Sequence, residues 1–184
     1  MSRNIMRRKA KLINGLKNMI KYVSDMKDIV MVEIGCYSGD STSIFASDNN
    51  IKMIHAIDPW QNGYDDSDGA SKSRPMELVE KMFDQKMAPH KDKLKKYKMP
   101  GDEAVDKFED ESLDLVYIDG NHQYEAVKND IIKWLPKVKK TGYITGHDIK
   151  RDSVRKAVHE VLGIPHKKFI DTSWLFKVSD LDKD

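Results

Sequence analysis

Four apolar runs of strand length punctuate the chain: "DIVMVEIG" (28–35), "IKMIHAID" (51–58), "LDLVYID" (113–119) and "GYITGHD" (142–148). Each is mostly aliphatic, and each meets Gly or Asp at its end. Near-continuous apolar strands predict a parallel sheet covered on both faces. Between them the spacing turns helical. Tyr124, Val127, Ile131 and Trp134 with Leu135 share one face before Pro136, and Val154, Ala157, Val158, Val161 and Leu162 share another before Gly163, a C′ stop. Pro75 opens a further helix with Leu78, Val79, Met82 and Phe83 as its apolar face. A weaker strand fits 94–99, and "KKFIDTSWLFKVSD" reads as two short strands around Asp171-Thr172-Ser173. The alternation predicts a doubly wound, mostly parallel α/β sheet with an antiparallel C-terminal strand pair. One domain over 1–184 accommodates it, with a basic N-terminal helix over 1–26 and a loop–helix insertion over 61–90 that suits a lid.

Composition narrows the class. A charged fraction of 34% and no apolar run near the ~20 residues of a membrane span describe a solvated chain, not a membrane one. The opening residues are basic but lack the apolar core of a signal peptide, so the expected location is the cytoplasm. The single cysteine, Cys36, excludes an internal disulfide and reads as a small buried filler. A net charge of +2 does not call for a nucleic-acid partner, but its distribution is uneven. Arg3, Arg7, Arg8, Lys9, Lys11, Lys17 and Lys21 precede the first acid, Asp25, and Lys91, Lys93, Lys95, Lys96 and Lys98 form a second cluster. Either suits RNA, DNA or phosphate as well as an ordinary solvated face.

Candidate chemistry gathers at the strand ends. After the first strand, Gly35 and Gly39 allow a tight turn that brings backbone N–H groups near a ligand, and Ser41 and Thr42 are expected to cap the next helix. Tyr37 occupies the place of the second glycine in G-x-G-x-x-G, which argues against NAD. Asp58 ends the second strand, where a carboxylate can accept ribose hydroxyls, and "GDEAVDKF" (101–108) puts Asp102 and Glu103 where an adenine amino group can be read. The fourth strand empties into Asp119, Gly120 and His122, a carboxylate, a flexible turn and an imidazole within four positions. "QNGYDDSDGASKS" (61–73) is long and polar enough for a binding segment. It is not an EF-hand loop, because position 1 would be Tyr64 and position 12 Pro75. His55 reads as a structural strand residue, and His90, His159 and His166 as surface residues.

These residues resemble those of class I S-adenosylmethionine (SAM)-dependent methyltransferases. "VEIGCYSGDST" is similar to the E-x-G-x-x-x-G-x-S motif of the catechol-type O-methyltransferases. "AIDPW", "YIDGNHQYEAVKNDIIKWLPKVKKTGYITGHD" and the terminal strand pair resemble the small macrocin-type sugar O-methyltransferases of the family-24 kind. The resemblance covers roughly 28–178 and implies the Rossmann-like class I methyltransferase fold. It implies that Glu33, Gly35, Gly39 and Ser41, flanked by Tyr37, hold the methionine end of SAM. Asp58 would take the ribose, Trp60 or Asp102 would lie near the adenine, and Asp119 would border the cofactor. In the metal-dependent members, a carboxylate ending strand four and an adjacent pair ending strand five bind a divalent cation, Mg²⁺ or Mn²⁺. Asp119 and His147-Asp148 fall on these positions, and His122 falls on the catalytic base.

His147 departs from the all-oxygen pairs. An imidazole leans toward Mn²⁺, Fe²⁺ or Zn²⁺; alternatively it faces the substrate or orients Asp148. The expected activity is methyl transfer to the hydroxyl of a small acceptor, sugar or catechol-like. Two other readings stay open: a nucleic-acid-directed methyltransferase that grips phosphate with the basic helix, and a non-catalytic SAM-fold binding protein. The amphipathic N-terminal helix is also suited to a homodimer contact.

Overall fold

The computed structural model describes residues 3–183; among side chains, those at 3–5, 8, 70, 71, 182 and 183 fall outside the description. The chain runs α1 (Arg3–Tyr22), β1 (Ile29–Ile34), α2 (Asp40–Ala46), β2 (Ile51–Ile57), α3 (Gly69–Ser73), α4 (Met76–Met87), β3 (Leu94–Tyr97), α5 (Gly101–Ala104) and β4 (Leu113–Ile118). It continues with α6 (Tyr124–Trp134), β5 (Val138–Gly146), α7 (Asp152–Val161), β6 (Lys167–Lys168) and β7 (Trp174–Lys177). The strands form one sheet in the order β3-β2-β1-β4-β5-β7-β6. β1 through β5 are parallel, and β7 pairs antiparallel with both β5 and β6. The C-terminal pair is therefore present, but β7 slots between β5 and its own hairpin partner.

Alternate residues of the central strands feed two cores. On one face Val32, Ile34, Val116, Ile118 and Ile144 pack under Ile131 and Trp134 of α6 and Val154 and Val158 of α7. On the other, Met31, Ile54, Leu115 and Tyr117 meet Phe45 of α2 and Leu16, Met19 and Ile20 of α1. The N-terminal helix thus buries an apolar stripe at i, i+3, i+4, while Arg7, Lys9, Lys11, Lys17 and Lys21 stay exposed. The side chains of Arg3 and Arg8, the other N-terminal basic residues, lie outside the described ones. In the second basic cluster, Lys96 pairs with Glu80 at 2.8 Å and Asp84 at 2.7 Å, and Lys98 pairs with Glu80 at 2.6 Å. Lys93 donates to the Asp48 carbonyl at 3.0 Å, so that cluster is largely taken up locally.

Two local expectations need correction. The buried face of α4 is Met76, Val79, Phe83 and Met87, whereas Leu78 and Met82 are about half exposed. At 100° per residue the i, i+3, i+7, i+11 stripe faces the sheet, and 78 and 82 point aside. Ser41 and Thr42 do not cap α2: its N-cap is Gly39, without a side-chain cap, and Ser41 turns inward instead. Two other local signals hold. Gly163 follows α7 at φ +84°, and His55 is a strand residue whose Nδ1 meets the Tyr97 hydroxyl at 3.0 Å.

The sheet order places β1 beside β4, with the chain wound outward from them in both directions. That is the topological switch point, where an open α/β sheet leaves a crevice beyond its strand ends.

Candidate active site

A cleft of about 330 Å³ opens there. The loop after β1 contributes Gly35, Tyr37, Ser38 and Ser41, the loop after β2 Asp58 and Pro59, and the start of α5 Gly101. The ends of β4 and β5 contribute Asp119, Gly120, His122, His147 and Asp148. Leu12 of α1, Tyr64, Asp65 and Asp68 of the 61–73 loop, and Arg151 complete the wall.

The β1–β2 side is shaped by backbone. Gly35 has φ +87°, and a Cβ there would lie 2.0 Å from the Asp119 carbonyl oxygen, so only glycine lets the first and fourth loops cross. Asp58 ties the loops together: one carboxylate oxygen accepts the Tyr37 N–H at 2.8 Å and the other the Trp60 N–H at 2.7 Å. Each oxygen keeps lone-pair capacity for a hydroxyl. Burial pushes the Asp58 carboxyl above its usual range. Tyr37 and Trp60 are themselves left-handed, at φ +46° and +42°. Such conformations cost about 1–3 kcal/mol each and gather at ligand sites.

Glu33 is fully buried beneath this loop, where burial lifts its carboxyl to about 7. One oxygen accepts the Ser41 hydroxyl. The other has no hydrogen-bond partner among the described residues, nor has the buried Tyr37 hydroxyl. Orphaned buried polar atoms mark a place for a polar ligand or water.

The β4–β5 side is built from charge. His122 Nε2 lies 3.3 Å from Asp148 Oδ2 and 3.6 Å from Asp119 Oδ1. His147 Nδ1 lies 3.2 Å from Asp148 Oδ1 and 3.7 Å from Asp119 Oδ1, while its Nε2 is buried without a hydrogen-bond partner among the described residues. Arg151 Nε meets Asp148 Oδ2 at 2.9 Å. Burial alone would lower both histidines, but the carboxylates of Asp119, Asp148 and Asp65 outweigh it for His122 and lift it to about 10. Asp119 and Asp148 lift His147 to about 9. Asp148, despite its own burial, is held well below the carboxylate range by the two imidazoles.

Among the described residues, Asp119, His122 and Asp148 are the group whose ligand atoms could meet one cation, all lying within 4.8 Å of one another. The two carboxylates fit a hard divalent ion such as Mg²⁺ or Mn²⁺; His122 Nε2 can either join them on the ion or keep its lone pair for a proton, and it cannot do both at once. His147 borders that group rather than belonging to it.

Four residues singled out in the sequence stand back from the cleft wall: Glu33, Gly39, Trp60 and Asp102, with Gly39 at the N-cap of α2, where a Cβ would lie 3.0 Å from Phe83. Glu33 acts through Ser41. Trp60 is 3% exposed, donates its indole N–H to the Tyr37 carbonyl at 2.9 Å and packs on Phe83, so it braces the loop from behind. Asp102 is on the surface, 3.7 Å from Lys133 Nζ, and its neighbour Gly101 is the α5 residue on the cleft. Conversely, sequence reasoning passed over Asp65. Its Oδ2 sits 2.7 Å from His122 Nδ1 and accepts the His122 backbone N–H at 3.0 Å. The available signal was an Asp two residues before Ser in an otherwise unassigned polar loop.

A methyltransferase-domain model matches residues 32–149, well over half the chain. The chain belongs to that methyltransferase family. The solved structures it resembles agree in fold. CalS11, a calicheamicin methyltransferase described as a TDP-rhamnose 3'-O-methyltransferase, superposes with a TM-score of 0.60 and 14% identity over 96% of this chain and 80% of its own. A SAM-dependent O-methyltransferase of Thermotoga maritima gives 0.58 and 11% identity over 82% of this chain and 49% of its own. Among curated sequences, uncharacterized protein R132 of Acanthamoeba polyphaga mimivirus is 31% identical over 124 residues, 66% of this chain. The chain spans about half that relative's length (52%). Protein y4gI of Sinorhizobium fredii is 44% identical over 46 residues, a quarter of this chain and 5% of the relative. The sheet order, the antiparallel strand pair and the flanking helices are those of class I SAM-dependent methyltransferases. Among the described residues no helix is long and apolar enough to cross a membrane.

Proposed function

We propose that this methyltransferase domain transfers the methyl group of SAM to a hydroxyl of a small acceptor, a sugar or a catechol-like ring, with a divalent cation at Asp119 and Asp148 and His122 as general base. The observation that carries this reading is the orientation of His122: Nδ1 is occupied by Asp65, and Nε2 faces the two carboxylates at the end of the cleft. When bound, SAM supplies an electrophilic sulfonium methyl, and the cation lowers the pKa of a hydroxyl it contacts.

The chain's own residues do the rest. The loop after β1 holds the methionine end, with Ser41 and Tyr37 as its polar groups and Glu33 bracing Ser41 from beneath. Asp58 accepts ribose hydroxyls through the lone pairs left by Tyr37 and Trp60. Asp102 could reach the adenine only by leaving Lys133, so Gly101 and Pro59 are the nearer adenine contacts. With SAM bound, His122 Nε2 would take the hydroxyl proton while the acceptor oxygen is held in line with the methyl, the new O–CH₃ bond replacing the S–CH₃ bond and S-adenosylhomocysteine leaving. Without a cation His122 is an imidazolium at neutral pH and cannot act as a base. Neutralising Asp119 and Asp148 returns it toward its ordinary value of about 6.5.

The test begins with calorimetric titration of SAM and S-adenosylhomocysteine into EDTA-treated protein, followed by Mg²⁺ or Mn²⁺. Transfer of radiolabelled methyl to a panel of sugars and catechols is then measured for wild type and His122→Ala. The expected result is micromolar cofactor binding, cation binding that needs both aspartates, and turnover lost in His122→Ala with cofactor affinity kept. Absence of cofactor binding would sink the reading, and cofactor binding with no cation effect would remove its metal-assisted half.

A further inference from the structure

We propose that Asp65 is the positioning residue for His122: it fixes the imidazole so that Nδ1 carries the proton and Nε2 is the working atom. The inference rests on the reading of His122 as the group that acts on the acceptor.

Asp65 comes from the polar loop between β2 and α3, 57 residues before His122, and it is 5% exposed. A single oxygen, Oδ2, accepts the His122 backbone N–H at 3.0 Å and lies 2.7 Å from Nδ1 of the same residue. Its other oxygen accepts the backbone N–H of Ser67 at 2.8 Å and the Ser67 hydroxyl at 2.6 Å, so the carboxylate has little freedom to turn. The loop is pinned from the opposite side as well, because Asn121 Nδ2 donates to the Tyr64 carbonyl at 2.9 Å.

This arrangement leaves one ring orientation. Nδ1 is the nitrogen closer to the backbone, so an oxygen already bonded to the His122 backbone N–H is within reach of Nδ1 and out of reach of Nε2. An ionised carboxylate only accepts hydrogen bonds, so the nitrogen facing it carries hydrogen. In the neutral ring the lone pair then lies on Nε2, the atom that faces Asp148 at 3.3 Å and Asp119 at 3.6 Å. The acceptor's proton moves to Nε2, Nδ1 keeps its own, and Asp65 stays ionised throughout. Removing such an orienting partner typically costs about 10–100-fold in activity.

Full-length protein with ¹⁵N-labelled histidines, saturated with S-adenosylhomocysteine and Mg²⁺, provides the test; His122 signals are assigned by their loss in His122→Asn. Wild type is expected to show a slowly exchanging, far-downfield Nδ1–H proton for His122. Asp65→Ala should lose it, with S-adenosylhomocysteine affinity within about threefold of wild type as the check on folding. Asp65→Asn keeps the side-chain shape and serves if the alanine variant does not fold; its neutral oxygen should move the proton upfield. In turnover both variants should fall about 10–100-fold in kcat with the KM for SAM unchanged. An unaltered Nδ1–H signal in both variants overturns the inference. The two readings fail separately. Full turnover in His122→Ala ends the base assignment and leaves the tautomer result standing. Loss in His122→Ala alongside wild-type rate and Nδ1–H signal in the Asp65 variants ends only the role of Asp65.

Discussion

At the β1–β2 end of the cleft, backbone does the shaping: Gly35 lets two loops cross in contact, and Asp58 spends both carboxylate oxygens on the N–H groups of Tyr37 and Trp60. At the β4–β5 end the backbone is secondary and four ionisable side chains crowd together, Asp119, His122, His147 and Asp148, with Asp65 behind them. The first region is a preformed cradle whose fit depends on sterics. The second is an electrostatic balance in which two imidazoles and Arg151 answer the carboxylates of Asp119 and Asp148. One region should therefore respond to size and shape, the other to charge and pH.

The largest effect is expected at the crossing. Gly35→Ala puts a methyl group 2.0 Å from the Asp119 carbonyl and forces φ out of +87°. Loss of cofactor binding by more than about 100-fold, or destabilisation of about 3–5 kcal/mol by urea unfolding, should follow. A mild phenotype would mean that the loops part easily and that the cradle is not preformed.

Asp148→Asn and Asp119→Asn should separate the two ends cleanly. Each is expected to abolish Mn²⁺ binding and lower turnover by about 10²–10⁴-fold. S-adenosylhomocysteine affinity should change only a few-fold. The mirror variant, Asp58→Ala, should weaken the cofactor by about 10–100-fold while Mn²⁺ binding persists, because it removes charge-assisted hydrogen bonds worth about 1.5–3 kcal/mol. Equal damage to both ligands from either variant would erase the distinction between the regions.

The pH response of the cation-free protein is smaller and has a definite sign. Burial holds Glu33 and Asp130 at about 7, so ionising them costs more in the folded chain, and stability falls as pH rises from about 4.5 to 7. His122 and His147 are raised to about 10 and 9; their contribution is complete below about 6.5 and is lost as pH rises through those values. Both groups lean the same way, so the melting temperature should decline steadily from pH 6 to pH 10. Saturating Mg²⁺ should raise it most at the alkaline end, and a flat profile would contradict the assignment of these charges.

The smallest effect belongs to a residue in neither region. Asp130 on α6 is 7% exposed and makes no ion pair among the described residues. Asp130→Asn should stabilise the protein at pH 8 by about 1–3 kcal/mol and do little at pH 5, where the carboxyl is already neutral. Chemical denaturation at the two pH values would reveal it.

The sequence by itself carried the alternation of strands and helices, the acid or glycine at each strand end, and the Asp119–His122 spacing. These are local patterns: a strand period of two, a helical period of 3.6, and a turn that needs Gly are properties of neighbouring residues. Of the residues it singled out, Gly35, Tyr37, Ser41, Asp58, Asp119, His122, His147 and Asp148 lie on the cleft, because parallel strands deliver their C-terminal ends to one edge. What it misjudged were matters of direction. Whether Leu78 or Met76 faces the core, and whether Ser41 caps a helix or reaches Glu33, depends on helix rotation set by packing. The placement of Trp60 behind the loop and of Asp102 beside Lys133 is likewise set by packing. Only tertiary structure could show that β7 slots between β5 and β6, or that α1 forms part of the cleft through Leu12. Asp65 is the clearest case. A carboxylate in a polar loop resembles any solvated turn residue until folding closes 57 positions of chain and sets it against an imidazole. Spacing along the chain fixes what each residue can do, and only the closed loop in three dimensions decides which residue it does it with.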